Sequence, residues 1–480
     1  MPGLRHRDDP FALAPPERWA LGARATQAIR RARAGAGEAL ASLTVPLRVP
    51  LDPSAVVAAA RRPGEPWFCF EQPDRDGSAL AGLGSVRELQ ASGPDRFARV
   101  ASTWRRLAAG AAADPPDGAP GAGLVAVGGF AFAPDGGSSP HWLPFPAASL
   151  VVPEVSLARR GAQTWLTVTA LAAPDDTEDD LVDRVQVRLA ELRNIDELPL
   201  LDPSPAGRVS VSSALPPEHY EEAVAQAVQR IRRGEFQKIV LAREVRVHAP
   251  QPHDAAAVLG ILREAFPACY VYCVGRGTSA FIGASPELLV RREGSRASTV
   301  ALAGSTRRSA DPAVDDHLGE RLLQSEKDRR EQAIVTRRIE RALRPHALWV
   351  TAASEPRVIR VANIQHLATP IRAQLAKPLG AVDLAAILHP TPAVGGEPFA
   401  AAVPMIPALE GLDRGWYAGP VGWTDAAEDG EFCVGLRCAL LEGAIAHCYA
   451  GDGIVEDSEP SAELAETEIK LEALLPVLAA

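Results

Sequence analysis

Three side chains near the end of the chain could hold a cation and an anion together. Glu463, Glu466 and Lys470 follow one another at spacings of three and four residues within 461–478, where recurring leucines predict a helix. A helix with these spacings carries the three side chains on one face. The carboxylates could bind a hard metal ion, and the ammonium could bind an anionic ligand. The commoner alternative is a solvated acidic face with one Glu–Lys pair, which contributes roughly 0.2–0.5 kcal/mol.

Four more segments carry groups that could do chemistry. Lys238 lies on an alternating apolar run that predicts a strand, and Glu287 follows a proline at the start of another strand. Residues 325–331 carry mixed charges in the predicted middle of a helix, and residues 389–398 form a loop rich in proline and glycine. Taken singly, each segment has an ordinary alternative, namely a strand-end charge, a solvated helix face or a connecting loop.

The elements that must position these groups are clearest in the second half of the chain. The pattern predicts helices at 217–233 and at about 311–343, strands at 238–247, 269–274, 281–284 and 288–291, and a tight turn at 451–453. Because strands follow one another in series and do not alternate regularly with helices, we expect an α+β fold with antiparallel sheets.

The first half carries few motifs. The pattern predicts helices at 24–43 and 175–193, and strands at 66–70, 125–132 and within 150–171. The stretch 194–208 is rich in proline and acidic residues, which favours a linker. We therefore expect an N-terminal scaffold half, residues 1–205, and a catalytic half, residues 206–480, joined in one globular unit.

The composition restricts the class of protein. The 480 residues carry a formal net charge of −10, whereas a nucleic-acid surface would need a clustered basic stripe. No signal peptide is evident at the N-terminus and no apolar run could span a bilayer, so we expect a cytoplasmic protein without membrane contact. The six cysteines include no CxxC pair and are expected to be buried free thiols. No phosphate loop, GxGxxG turn or HExxH helix occurs, and residues 283–287 lack the last glycine of a serine-hydrolase elbow.

Taken together, the segments resemble the chorismate-utilising enzyme family, and within it the isochorismate synthases. The resemblance runs from about residue 216 to about residue 475. It rests on ten motifs in the family's order, at residues 238–243, 283–287, 302–308, 325–331, 366–370, 389–393, 419–423, 436–439, 450–455 and 463–470. It implies two lobes of antiparallel β-sheet packed as a sandwich with helices outside. The long N-terminal half looks more like the menaquinone branch of the family than the siderophore branch.

The resemblance also implies a reaction. In these enzymes, with Mg²⁺ bound, water adds at C2 of chorismate while the C4 hydroxyl leaves. Lys238 resembles the base that activates water, and Glu287 resembles the general acid. Glu331 and Glu466 look like direct magnesium ligands, with Glu463 acting through water. The residues that look like substrate-binding residues are Gly304, Ser305, His366, Ala393, Val394, Tyr417, Leu436, Arg437, Gly451, Gly453 and Lys470, among which Arg437 and Lys470 would bind carboxylate.

The family divides by nucleophile, so other activities stay open at this point. Ala393 stands where relatives that aminate chorismate or eliminate pyruvate usually carry a hydroxyl, which favours an isochorismate synthase. The alternatives are a salicylate synthase, an aminodeoxychorismate or anthranilate synthase component, and a chorismate-binding module without activity. Because no glutaminase segment is present in the sequence, we expect a monomer without a glutaminase subunit.

Overall fold

The computed structural model describes residues 9–115, 118–202, 207–361 and 364–479. The N-terminal residues 1–8 and the predicted domain boundary at 205–206 lie outside the described residues. No helix in the described part of the chain is long and apolar enough to cross a membrane. All six cysteines are buried and free, as expected.

The described residues form thirteen α-helices. They are α1 (Pro15–Arg31), α2 (Pro53–Ala60), α3 (Arg96–Ala109), α4 (Glu178–Leu189), α5 (Pro217–Arg232), α6 (Ala255–Ala265), α7 (Pro312–Gln324), α8 (Glu326–Leu343), α9 (Ala381–Leu388), α10 (Phe399–Ala402), α11 (Ile406–Glu410), α12 (Pro460–Leu471) and α13 (Leu475–Leu478). A π-helical turn spans Ala32–Ala36, and 3₁₀ turns span Pro140–Trp142, Arg344–His346 and Val403–Met405.

The strands form two sheets. They are β1 (Ala39–Pro46), β2 (Gly64–Gln72), β3 (Ser78–Leu83), β4 (Arg87–Ala91), β5 (Val125–Phe130), β6 (Ala148–Val152), β7 (Val155–Arg160), β8 (Gln163–Ala172), β9 (Ser210–Ser213), β10 (Lys238–His248), β11 (Tyr270–Gly277), β12 (Ser279–Ser285), β13 (Leu288–Glu293), β14 (Arg296–Arg307), β15 (Ala347–Ala352), β16 (Arg357–Val361), β17 (Ile364–Leu375), β18 (Gly396–Glu397), β19 (Pro420–Asp425), β20 (Gly430–Val434), β21 (Cys438–Glu442) and β22 (Ile445–Ile454).

The larger sheet has the order β1-β8-β7-β3-β2-β11-β12-β21-β22-β10-β18, with β9 paired to β10. The smaller sheet has the order β15-β17-β14-β13-β20-β19-β5-β6-β4, with β16 paired to β17. Neighbouring strands in both sheets run antiparallel, so the predicted α+β class with antiparallel sheets is confirmed. Each sheet joins strands from both halves of the chain, through β2–β11 in the larger and β5–β19 in the smaller.

The alternation of side chains along the larger sheet divides the core into two layers. Phe70 and Tyr272 face the smaller sheet, while their neighbours Cys69 and Val271 face the layer that holds α1, α4 and α6. Across the first layer the hydroxyl of Tyr270 donates to Glu431 on β20 at 2.8 Å. The two sheets therefore pack face to face, with helices on the outer side of the larger one.

Several predicted elements have different limits. The first helix does not run to residue 43, since Gly35 and Gly37 adopt positive φ angles of 111° and 72° and the chain enters β1. The predicted turn at 451–453 is wrong, because these residues continue β22 and pair with β10. The last predicted helix is also interrupted, with α12 ending at Leu471 and α13 beginning at Leu475.

The helix predicted at 311–343 is two helices. Ser325 leaves helical geometry with φ −65° and ψ 116°, and its hydroxyl accepts from the Asp328 N–H at 3.3 Å. A serine in this position caps the N-terminus of the following helix. The charged segment 325–331 therefore begins α8 and does not lie in mid-helix.

Removing this cap should loosen the first turn of α8. Loss of an N-cap costs about 1 kcal/mol, equivalent to roughly fivefold faster local opening, so Ser325→Ala should speed amide exchange in the peptide that contains Asp328. Ser325→Thr, which keeps a hydroxyl, serves as the matched control and should exchange at the wild-type rate. Equal exchange in wild type and Ser325→Ala would show that the cap does not hold this turn.

Candidate active site

One cleft gathers every residue that the sequence singles out for a site. Its walls come from β10 and β22 of the larger sheet, β14 and β17 of the smaller sheet, and the helices α8 and α12. It has an empty volume of about 850 Å³, including solvent at its mouth. The predicted residues that line it are Lys238, Glu287, Gly304, Ser305, Glu331, His366, Ala393, Val394, Tyr417, Leu436, Arg437, Gly451, Gly453, Glu463, Glu466 and Lys470.

Lys238 opens β10 and is almost fully buried, with 1% of its surface exposed. Its Nζ donates to Glu331 Oε1 of α8 at 2.6 Å. The pairing of β10 with β22 sets Val240 opposite Gly453, and a Cβ on that glycine would lie 2.5 Å from Glu331 Oε1 and 2.8 Å from Lys238 Cε. Glycine at 453 is therefore what lets the lysine and the glutamate meet beside the strand.

Glu287 is the second buried titratable group that the sequence predicted to act in catalysis. Burial raises its pKa to about 8, against the opposing charge of Lys238 and a contact of 3.5 Å from the Thr391 hydroxyl. A carboxyl with this pKa is mostly protonated at neutral pH. It can therefore give a proton to a leaving oxygen, which an ordinary glutamate at this pH could not do.

Arg437 and Lys470 place two cations in the same cleft. Arg437 has a positive φ of 48°, which is uncommon outside glycine and is often found where function constrains the backbone. Its Nη1 is buried without a hydrogen-bond partner, although Nη2 lies 3.3 Å from His366 Nε2. A buried guanidinium with an unused N–H is suited to receive a carboxylate.

The orientation of His366 is fixed by its two neighbours. Burial lowers its pKa to about 3, so the ring is neutral at physiological pH. Its Nδ1 lies 3.3 Å from the carbonyl oxygen of Gly304, which can only accept, whereas Arg437 can only donate. The proton of the ring is thus on Nδ1, and Nε2 accepts from Arg437.

Three carboxyl groups converge in the same cleft. One oxygen each from Asp452, Glu463 and Glu466 lies within 4.8 Å of the others, and Asp452 Oδ2 is buried without a partner. Lys470 Nζ lies 3.0 Å from both Asp452 Oδ1 and Glu466 Oε1. An oxygen-only donor set with an unused buried oxygen fits a hard divalent cation such as Mg²⁺.

The groups of this cluster have pKa values shifted in different directions, and each shift has a physical cause. Burial raises the pKa of Asp452 well above its usual value, and the charge of Glu466 raises it further. Burial would also raise the pKa of Glu466, but Lys470 and a hydrogen bond from Ser305 lower it to about 2. Burial would lower the pKa of Lys470, yet the charges of Asp452 and Glu466 outweigh it and raise that pKa. Glu466 and Lys470 are thus both charged at neutral pH.

The structure groups the predicted metal ligands differently from the sequence. Glu463 and Glu466 lie together with Asp452, whereas Glu331 lines the same cleft and accepts a hydrogen bond from Lys238 Nζ. Asp452 was not predicted as a ligand because its segment was taken for a turn, although an aspartate between two glycines was the available signal. The Gly453 N–H, predicted to face the ligand, donates to Asp452 Oδ1 at 2.8 Å.

Sequence reasoning missed other residues that line the cleft or contact its groups. Thr391 contacts Glu287, Lys327 Nζ lies 3.3 Å from Glu463, and Tyr449 stacks on Tyr417 with ring centroids 5.3 Å apart. Thr391 and Lys327 each lie within a motif recognised from the sequence, which indicates that they are near the site. The sequence does not indicate that Thr391 contacts Glu287 or that Lys327 contacts Glu463. Ala393 follows Thr391 closely, and its N–H donates to the Thr391 hydroxyl at 3.2 Å.

Comparison with known proteins adds a family and several relatives. A family described as chorismate binding enzyme matches residues 27–479. The salicylate biosynthesis isochorismate synthase of Pseudomonas aeruginosa is 38% identical over 431 residues, which cover 90% of this chain and 88% of that protein. The isochorismate synthase MenF of Bacillus subtilis is 33% identical over 356 residues, covering 74% of this chain and 75% of that protein.

Solved structures agree with this similarity. The menaquinone-specific isochorismate synthase MenF from Escherichia coli has a TM-score of 0.76 and 27% identity, and the match covers 95% of this chain and 99% of that chain. Anthranilate synthase component I from Streptococcus pneumoniae has a TM-score of 0.65 at 21% identity, covering 82% of this chain and 91% of that chain, which shows a shared fold alone.

The raised pKa of Glu287 can be measured directly. Its folded pKa of about 8 lies above the usual 4.5, so the carboxyl is protonated below pH 8 and ionises as the pH rises through that value. Infrared difference spectra of wild type minus Glu287→Gln should show one protonated-carboxyl band at pH 6 that disappears with a midpoint near 8. A midpoint near 4.5 would contradict the account of this group.

Proposed function

This chain belongs to the chorismate-binding enzyme family, and from that membership we propose that it is an isochorismate synthase, which isomerises chorismate to isochorismate. The observation that carries the proposal is that a buried lysine, Lys238, and a buried carboxyl, Glu287, line one cleft with two cations, Arg437 and Lys470. Relatives named as isochorismate synthases, at 33–38% identity over most of the chain, support it.

The reaction needs one proton removed and one supplied. Lys238 acts as the base in its neutral amine form, which takes a proton from the water that attacks C2, and Glu331, with Oε1 2.6 Å from Nζ, orients the amine. Glu287, protonated at neutral pH, gives a proton to the C4 hydroxyl, which leaves as water while the ring double bonds shift. One water enters and one leaves, so the overall change is an isomerisation. Proton exchange with solvent then returns both groups to their starting states.

Chorismate carries two carboxylates, and the cleft offers two groups that could each bind one of them. We propose that Arg437, through its unused Nη1, binds one carboxylate, with His366 holding the guanidinium in place. Asp452, Glu463 and Glu466 would hold Mg²⁺ beside Lys470. The ion would neutralise a substrate carboxylate inside a protein of net negative charge.

The remaining expectations stay proposals with separate support. Shared sheets across β2–β11 and β5–β19 support one folding unit in which residues 1–205 act as a scaffold. Six buried free thiols support a reducing compartment such as the cytoplasm. We further propose a monomer without a glutaminase subunit. A salicylate synthase or an aminating enzyme has less support, since the two relatives at 33–38% identity are named isochorismate synthases, whereas the anthranilate synthase component shares only the fold at 21% identity.

Removing the acid or the base should abolish turnover while leaving the fold intact. Lys238→Ala and Glu287→Gln are each expected to lower kcat by at least about 100-fold, because general acid–base catalysis contributes that much. Products formed from chorismate and Mg²⁺, with and without ammonium, would be separated by chromatography. The exposed Lys377→Ala is the matched control and should retain wild-type activity.

Isochorismate as the single product would agree with the proposal. Salicylate with pyruvate, or an ammonium-dependent amine, would instead identify one of the alternatives. Near-normal turnover in either Lys238→Ala or Glu287→Gln would exclude that residue from its assigned role.

Metal affinity should depend on the carboxyl cluster. Glu466→Gln removes one of few charged oxygen donors, so calorimetry in the presence of chorismate should show Mg²⁺ binding weakened by at least about tenfold. Glu468→Gln, exposed on the same helix, should leave the affinity unchanged. A parallel titration of Glu331→Gln tests whether this residue is a direct ligand. Unchanged affinity in Glu466→Gln would place the cation elsewhere.

A further inference from the structure

A fully buried ion pair lies directly behind the cleft. Glu410 ends α11 and Arg414 follows four residues later, and each has only 4% of its surface exposed. Arg414 Nε donates to Glu410 Oε2 at 3.0 Å, and Nη2 donates to Glu410 Oε1. Two charges taken out of water are costly even when paired, so the groups around them must satisfy their remaining donors and acceptors.

Those remaining bonds reach the backbone of the cleft wall. Arg414 Nη2 also donates to the carbonyl oxygen of Val240 at 2.9 Å, and Glu410 Oε1 accepts from the Ala242 N–H at 2.6 Å. Both residues belong to β10, and Val240 lies two positions after Lys238. The ion pair therefore holds the strand that presents the proposed base at two points.

The other side of the guanidinium binds the loop 389–398, which also pairs with β10 through β18 and through the Val240 N–H, a donor to the Gly395 carbonyl at 2.7 Å. Arg414 Nη1 donates to the carbonyl oxygen of Val394 at 2.8 Å. The Val394 N–H donates in turn to the Thr391 carbonyl at 3.1 Å, and the Thr391 hydroxyl contacts Glu287 at 3.5 Å. A displacement of Val394 would thus move the group that contacts the proposed acid.

We propose that Arg414 is a positioning residue that sets the distance between Lys238 and Glu287 across the cleft. One planar guanidinium bridges the strand that carries the base and the loop that contacts the acid. It touches neither the substrate-binding cations nor the carboxyl cluster in the described structure. The inference rests on the proposed function, because it assigns Lys238 and Glu287 their acid–base roles.

The geometry requires arginine at this position. The guanidinium presents its donors in a fixed plane, and its carbon lies 4.3 Å from the centroid of the Phe132 ring. A lysine would keep the charge beside Glu410, but its single nitrogen cannot reach both Val240 and Val394 while it bonds the carboxylate. Arg414→Lys therefore removes the hydrogen bonds that bridge Val240 and Val394 while it keeps the positive charge beside Glu410.

The test compares Arg414→Lys with Arg188→Lys. Arg188 is a matched control because it is also buried, with 5% of its side chain exposed, and pairs with Glu65 and with Glu154, but it lies on α4 away from the cleft. Both variants should lose thermal stability. Only Arg414→Lys should lower kcat, by about tenfold or more, because small misplacements of reacting groups have large kinetic effects. Its KM for chorismate should stay within about threefold of wild type, since the two cations proposed to bind the carboxylates, Arg437 and Lys470, form no hydrogen bond with Arg414 in the described structure.

Amide exchange supplies a readout that does not depend on catalysis. Peptides covering 389–398 and the start of β10 should exchange faster in Arg414→Lys than in wild type, and at the wild-type rate in Arg188→Lys. If Arg414→Lys does not fold, Glu410→Gln, which keeps an acceptor for the Ala242 N–H, should show the same pattern.

Two results would overturn the proposal. Unchanged exchange in 389–398 would show that the guanidinium does not hold the loop, whatever the activity. If the wild-type protein forms isochorismate and a folded Arg414→Lys variant does so with the wild-type kcat, the bridge does not position the reacting groups. Absence of isochorismate from the wild-type reaction would contradict the proposed function instead. The amide exchange result would still show whether Arg414 holds the loop 389–398.

Discussion

The register between β10 and β22 is the constraint on which the cleft depends. It sets Val240 opposite Gly453 and Ala242 opposite Gly451, and each glycine leaves space that a side chain would fill. Lys238 from the strand itself and Glu331 from α8 come into the space at Gly453, whereas the Tyr417 hydroxyl comes into the space at Gly451. A one-residue slip would turn Lys238 to the opposite face of the sheet, so the pairing that builds the sheet also builds the site.

The second constraint is electrostatic. The cleft buries several charges, and each is balanced by a neighbour from another element: Lys238 by Glu331, Lys470 by Asp452 and Glu466, and Arg414 by Glu410. Among the described residues that line the cleft, three buried polar atoms have no hydrogen-bond partner: Arg437 Nη1, Asp452 Oδ2 and the hydroxyl of Tyr449. Arg437 Nη1 and Asp452 Oδ2 are the atoms to which a substrate carboxylate and a cation would supply the missing partners.

The sequence predicted the local features and missed those that depend on distant contacts. The spacing of Glu463, Glu466 and Lys470 correctly placed them on one helical face, and the alternation around Lys238 correctly predicted its strand. The hydrogen bond between Lys238 and Glu331 joins residues 93 positions apart, and that between Ala242 and Glu410 spans 168, so no local pattern encodes either. Ser325 was misjudged because helix-forming residues on both sides of it concealed the cap, and Asp452 because two glycines suggested a turn where they allow close packing.

The central claim is that a buried base and a buried acid exchange one water for another on the chorismate ring. The most direct measurement is mass spectrometry of isochorismate formed in water enriched in ¹⁸O, sampled early in the reaction. The account predicts that the new hydroxyl oxygen at C2 comes from solvent and that the product carries one labelled oxygen. Isochorismate formed without label would mean that the hydroxyl migrates within the substrate, which contradicts the roles assigned to Lys238 and Glu287.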